Sequence, residues 1–249
     1  MSASDQILIL GVETAARGGS VCIMQDHKVL ALTTGDPNIS HSNTLLIDVQ
    51  KCLDLAGVAL ADIDLFAAAS GPGSFTGLRI GIATIKSLAT TLHKPCVGVP
   101  TLHALAHAGG ESKATVALLP AGRGELFVQM LSVSADGLVS ELDEAAHLLP
   151  QRAMDRYASI ANLRWVGSGA QLFRGLISEN AAARGIQFGE GIEVAAHGNS
   201  IWNLKAEPQN PAANVAALAL RQFQDGAKGD PQSLTAIYVR PSDAELKCR

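Results

Sequence analysis

At 249 residues the chain has room for one large domain or two modest ones, and 47% hydrophobic against 17% charged residues excludes a disordered polymer. Aromatic residues make up only 4%, so the core has to rest on Ala, Val, Ile and Leu, which favours helices packed on an aliphatic sheet over an all-β sandwich. A formal net charge of −4 argues against a protein that grips nucleic acid by itself, because phosphate neutralisation supplies most of that affinity.

The first hundred residues alternate clearly. Gln6 to Val12 is an apolar run of strand length, the Arg17-Gly18-Gly19 turn follows, and Ser20 to Met24 and Val29 to Thr33 are two more strands joined through Asp26-His27. The period then becomes helical: Leu45, Leu46, Val49, Cys52, Leu53 and Ala56 recur with Asp48, Lys51 and Asp54 opposite, and Gly57 is the stop. Asp64 to Ala69 is a buried strand that enters a glycine-rich turn. A long helix starts at Ser74, with Leu78, Ile82, Ile85, Ala89 and Leu92 on one stripe, and Pro95 closes it. Cys96 to Val99 is a strand, and Thr101 caps a helix through Ala108.

Three hairpin-linked strands followed by two α-β crossovers make the RNase H-like unit that occurs twice in the actin/hexokinase/Hsp70 fold, called ASKHA. The second half is less regular. Ala114 to Leu119 and Glu125 to Val133 read as strands around Pro120-Ala121-Gly122-Arg123-Gly124, Arg164 to Val166 as a short strand, and Gln171 to Ser178 and Ala212 to Gln224 as helices. The expectation is an α/β protein of two RNase H-like subdomains, residues 1–109 and a degenerate copy at 110–249.

The turn at Gly71 is the strongest local signal. Its glycines fall at 71, 73 and 77 and no Lys follows, so neither the Walker A nor the dinucleotide pattern is met. Two readings stay open: an anion cradle in which Gly71, Gly73 and Ser74 face a helix N-terminus, and a plain capped turn. Gly77, Gly81 and Thr84 leave a small-residue stripe on the helix, suited either to packing within the chain or to another chain. His103 and His107 share a helical face, but Glu does not follow His103 and no third ligand is evident. Glu13 ends the first strand, where a carboxylate suits either a hydrated metal or a turn hydrogen bond. The cysteines Cys22, Cys52, Cys96 and Cys248 form no CxxC pair, which excludes zinc-site or disulfide spacing and fits inert thiols in a reducing cytosol. The N-terminal residues 1–5 carry no basic leader and no apolar run reaches membrane-span length, so the expected location is cytoplasmic.

His41-Ser42, the string Gly71-Pro72-Gly73-Ser74-Phe75-Thr76-Gly77-Leu78-Arg79-Ile80-Gly81 and the run Lys94 to Leu102 together resemble the TsaB (YeaZ) family. The likeness is dense over about residues 7 to 108 and thins to Gly124-Glu125, Gly167-Ser168-Gly169-Ala170 and Tyr238-Val239-Arg240. The catalytic paralogue TsaD carries a metal-binding HxxxH that would fall here on Thr101 and Leu105. His103 and His107 are displaced by two residues, roughly 200° around a helix, so they do not inherit that role.

The resemblance implies a non-catalytic subunit, with neither catalytic nor metal-ligating residues of its own. Such a subunit pairs with a TsaD-like enzyme and, with the ATPase TsaE, supports transfer of threonylcarbamoyl to the adenosine beside the anticodon of certain tRNAs. The adenylate donor comes from a separate enzyme. The helices at about 42–56 and 74–92 would form the contact surface, with Leu45, Val49, Gly73, Gly77, Arg79, Gly81 and Thr84 as its residues, and the chain alone would be a homodimer. No cofactor is intrinsic; ATP would sit at the complex interface, held mainly by partners, and tRNA would be met only through the complex. Three departures from the family pattern stand out: Glu13 in place of Asp, the reduced stretch Pro120 to Glu125, and Asn38-Ile39-Ser40 before His41. An ATP-dependent kinase-like enzyme of the same fold is the alternative, and a metallopeptidase the second alternative.

Overall fold

The computed structural model describes residues 6–16, 18–36, 41–191, 200–206 and 210–239. Arg17, Asn38-Ile39-Ser40, Arg240 and Cys248 lie outside the described residues, as does the N-terminal stretch 1–5. The chain divides into two compact units, Met1–Ala104 with Gln209–Tyr238, and Leu105–Pro208 with Val239–Arg249.

In the first unit, β1 (Leu8–Glu13), β2 (Ser20–Gln25) and β3 (Lys28–Thr34) form an antiparallel meander, and β4 (Leu65–Gly71) and β5 (Cys96–Pro100) extend it in parallel. The order β3-β2-β1-β4-β5 is the RNase H-like sheet expected from the sequence. Helix α1 (His41–Ala56) links β3 to β4 and α2 (Phe75–Leu92) links β4 to β5. Leu8, Leu10 and Val12 of β1 meet Leu45, Val49, Leu53, Ile82 and Ile85 in one aliphatic core. The period-2 alternation of β1 sends Gly11 to the opposite face. A Cβ on Gly11 would stand 2.8 Å from the Ala212 carbonyl and 2.9 Å from Ala216 Cβ, so α7 (Pro211–Gln224) lies directly on the strand. Burial on both faces explains why β1 is an unbroken apolar run rather than an alternating one.

Helix α7 therefore returns to the first sheet, packing on β1, β2, β4 and β5, whereas the sequence division had placed it in the second subdomain. Its apolar face gives the period but not the partner. Helix α3 (Thr101–Ala108) follows β5, and the division between units falls inside it rather than at residue 109.

The second unit repeats the topology. β6 (Ser112–Gly122), β7 (Glu125–Val133) and β8 (Val139–Glu141) are antiparallel, β9 (Ala146–Leu148) pairs with β7, and α4 (Pro150–Arg156) leads to β10 (Leu163–Val166). Helices α5 (Ser168–Leu172) and α6 (Arg174–Ala182) then precede β11 (Gln187–Glu190) and β12 (Ile201–Leu204). The order β8-β7-β6-β10-β12 matches that of the first sheet, with β11 added at the edge. The core here is aromatic: Trp165 and Trp202 lie 5.1 Å apart between ring centroids, and Tyr157 packs edge-on to Trp165. Among the described residues no helix is long and apolar enough to cross a membrane.

Candidate docking face and glycine turn

β4 runs into Ser70-Gly71-Pro72-Gly73-Ser74, and Ser74 caps α2 by accepting from the Gly77 N–H at 3.2 Å. Three neighbours close this turn. The Ser74 N–H donates to the Ala15 carbonyl (2.8 Å), the Gly71 N–H to Thr101 Oγ1 (3.1 Å), and the Ile237 N–H to the Ser70 carbonyl (2.7 Å). Gly71 has φ 114°, in the region that favours glycine, and a Cβ there would stand 2.5 Å from the Ile237 carbonyl oxygen. A Cβ on Gly73 would stand 2.5 Å from Ala15 Cβ. The glycines make room for the chain's own backbone, in the manner of a closed, capped turn.

Glu13 is 1% exposed, with Oε1 accepting from the Ala16 N–H at 2.9 Å. Burial pushes its carboxyl above the ordinary range, and the N–H groups of Ala16 and Ala15 pull the other way. Next to it, the buried Thr14 Oγ1 donates to the Gly77 carbonyl at 2.8 Å. A Cβ on Gly81 would overlap Thr14 Oγ1. The Gly77/Gly81 stripe is thus the seat of the β1 end. Of its two open uses, packing within the chain is the one observed.

The expected contact residues separate accordingly. Leu45 and Val49 are 5% and 4% exposed and belong to the core, Gly77 and Gly81 face β1, Gly73 lies under Ala15, and Thr84 is half-buried. Arg79 alone of the seven is exposed. The burial of Leu45 and Val49 has a simple physical reason: the apolar stripe of a surface helix is the face its own sheet has already buried. α1 leaves Leu46 (62% exposed), Ile47 (54%) and Leu55 (69%) outside, Leu46 and Ile47 adjacent and Leu55 on the far edge from Leu46, among the exposed Gln50, Lys51 and Asp54. At the start of α2 the Arg79 guanidinium lies 3.8 Å from the centroid of the Phe75 ring, and its Nε–H donates to Tyr238 Oη at 3.3 Å. Phe75 and Tyr238 are themselves 5.5 Å apart between centroids. Sequence reasoning missed that Leu46, Ile47 and Leu55 stay exposed, and that Phe75 and Tyr238 meet. The available signal was aliphatic residues left over outside the core stripe.

Thr101, where the resemblance would place a TsaD-like histidine, is buried with its hydroxyl on Gly71, and Leu105 is a core residue. His103 and His107 are half-buried on α3. Among the described residues no group of three or more His, Cys, Asp or Glu is arranged to hold a metal. Burial pushes the Cys22 thiol up to about 12 and the Cys96 thiol up to about 11.

In the second unit, Gly122 to Glu125 is an exposed hairpin tip with positive φ at Arg123 and Gly124. Gly167, at φ 93°, and Gly169 sit against Leu118 of β6, so the β10–α5 turn is also closed by its own sheet.

Residues 37–218 match the family model described as TsaD, tRNA N6-adenosine threonylcarbamoyltransferase. The tRNA threonylcarbamoyladenosine biosynthesis protein TsaB of Escherichia coli (strain K12) is 33% identical over 96% of this chain and 97% of its own length. The chain belongs to the TsaB family. The tRNA N6-adenosine threonylcarbamoyltransferase of Thermosipho africanus is 26% identical over 65% of this chain, which spans about half of that protein, 54% of its length. Among solved structures, a Pseudomonas aeruginosa protein described as similar to peptidase YeaZ superposes with TM-score 0.71 at 23% identity, covering 94% of this chain and all of that one. The ROK hexokinase of Thermus thermophilus superposes with TM-score 0.51 at 13% identity, over 88% of this chain and all of that one. These two place the TsaB-family chain in the actin/hexokinase-like fold and speak to the fold alone.

Proposed function

We propose that the chain is a cytoplasmic, non-catalytic docking subunit in the biosynthesis of threonylcarbamoyladenosine on tRNA, and that it works by binding a TsaD-like catalytic paralogue. The observation that carries this is α1. It buries Leu45, Val49 and Leu53 in its own core and still presents Leu46, Ile47 and Leu55 to solvent. Leu46 and Ile47 are neighbours on the solvent side of the helix, and an exposed aliphatic pair there suits a partner surface. The closed glycine turn supports the same reading, since the backbone that would cradle a phosphate is engaged with Ala15, Thr101 and Ile237. So does Thr101, whose hydroxyl is committed to the turn where the paralogue has a metal ligand.

In this reading the partner supplies metal and donor chemistry, a TsaE-like ATPase acts on the pair, and ATP and tRNA are held mainly by those partners. Alone, the chain covers the same face with a second copy. The test is reconstitution. Purified alone, the chain neither hydrolyses ATP nor modifies tRNA; with the TsaD and TsaE homologues and the adenylate donor, modification appears and depends on this chain. Single-chain turnover, or modification at full rate without it, overturns the proposal.

A further inference from the structure

The three side chains at the start of α2 have a chemistry of their own. Arg79 is exposed, yet its guanidinium is held in place from two sides, by the Phe75 ring one helical turn back and by the Tyr238 hydroxyl. Phe75 and Tyr238 are 39% and 48% exposed. Tyr238 is not a loose end. The segment before it is pinned by Leu234 in the core, by the Lys86 Nζ–H donating to the Gln232 carbonyl at 3.3 Å, and by the Ile237 N–H on Ser70. Among the described residues no Asp or Glu pairs with Arg79. With Nε committed to Tyr238, the two terminal nitrogens remain as a planar fork.

A rigid fork between two half-exposed rings suits a bidentate acceptor, because the ordering entropy of a long side chain has been met before binding. Carboxylate and phosphate both fit such a fork, and the surroundings decide between them. The outward stripe of α2 continues through Ala83, Ser87 and Thr90 with no second cation, and Lys86 is engaged with Gln232. Tracking a nucleic acid needs several cations in line, and the whole chain is acidic. Arg, Tyr and large apolar side chains clustered together are the composition of a protein–protein hot spot.

We infer that Arg79, Phe75 and Tyr238 form a pre-assembled anchor that takes an Asp or Glu carboxylate on the surface of the docking partner. The inference rests on the docking reading above and names the chemistry of one point in it.

The test is calorimetric titration of the chain with its TsaD homologue, without RNA, at low and moderate salt. Arg79→Ala weakens binding by about tenfold or more and flattens its salt dependence. Arg79→Lys recovers little, because an ammonium offers a point charge instead of a fork. Tyr238→Phe keeps the ring, removes the hydroxyl and weakens binding by about threefold. Thermal melts of the three variants match wild type. Arg79→Ala binding within about twofold of wild type overturns the anchor, as does full recovery by Arg79→Lys. Displacement of the partner by tRNA from wild type but not from Arg79→Ala reassigns the anchor to nucleic acid. Absence of any complex with the wild-type chain overturns the docking reading and the anchor with it, whereas a complex indifferent to Arg79 overturns the anchor alone.

Discussion

The two units share a strand order and differ in what joins the strands. In the first sheet the crossovers are full helices, α1 of 16 residues and α2 of 18, over an aliphatic core. In the second, the corresponding segments are α4 of 7 residues and the broken pair α5 and α6, over a core built on Trp165, Trp202 and Tyr157. Both strand-to-helix turns are closed by other parts of their own unit, Ala15, Thr101 and Ile237 in the first and Leu118 in the second. In both copies the glycines of that turn face atoms of the chain itself. The difference lies in the length of the crossovers: α1 leaves the adjacent Leu46 and Ile47 exposed on a helix of about four turns, whereas the short crossovers of the second unit leave Leu149 and Leu172 singly.

The comparison breaks first at Gly81. Since any Cβ there overlaps Thr14 Oγ1, Gly81→Leu destabilises by about 3 kcal/mol or more, at the upper end of overpacking costs. The measurement is thermal melting by circular dichroism. Tryptophan emission, which comes only from Trp165 and Trp202, reports the second unit and changes least. A melt unchanged from wild type contradicts the packing role of the stripe.

In the second unit the matching weak point is Asp143. It accepts from the Met130 N–H (2.6 Å), Tyr157 Oη (2.8 Å) and Arg156 Nη2 (2.8 Å). Asp143→Ala leaves these donors without their acceptor and costs about 2 kcal/mol. The loss appears as an earlier transition in tryptophan emission, because Tyr157 packs against Trp165.

Much of this was legible in sequence, for reasons visible in particular residues. Ser74 three residues before Gly77 reads as a cap and is one, and the strand-length apolar runs and 3.6 periods of the first hundred residues identify β1 to β5 and α1 to α3. Strands of three or four residues, such as β8, β9, β11 and β12, contain at most two full alternations and escape any periodicity. Gln171 to Ser178 read as one helix because the break falls at Phe173, which is neither Gly nor Pro, while Gly175 lies inside α6. For the face of α1 and α2, periodicity groups residues that share a side but says nothing about which side the sheet takes. Leu45 and Val49 were therefore assigned to the contact surface, and the structure packs them in the core of their own sheet. Tyr238 meets Arg79 across 159 positions, a pairing no local pattern carries.

A smaller effect separates the two sheets by pH. The folded-state pKa of Glu13 is raised, so its protonated form is the one the fold favours. Stability is unaffected below the ordinary carboxylate range. It falls as pH rises through that range toward the folded-state value, by about 1.4 kcal/mol per pH unit while only the unfolded chain is ionised. Glu13→Gln keeps an acceptor for the Ala16 N–H and removes this decline, so its stability relative to wild type grows from pH 4 to pH 8 in denaturant titrations. A constant difference contradicts the buried-carboxyl account.

The smallest effect on stability belongs to the change with the largest effect on assembly. Leu46→Asp with Ile47→Asp replaces exposed side chains and shifts folding stability by less than about 0.5 kcal/mol. The direct measurement of the central claim is calorimetric binding of this double variant and of wild type to the TsaD homologue, with melting curves recorded alongside. The account predicts a complex with wild type and a loss of about a hundredfold or more in the variant at unchanged melting temperature. Equal affinity of the two chains would contradict it.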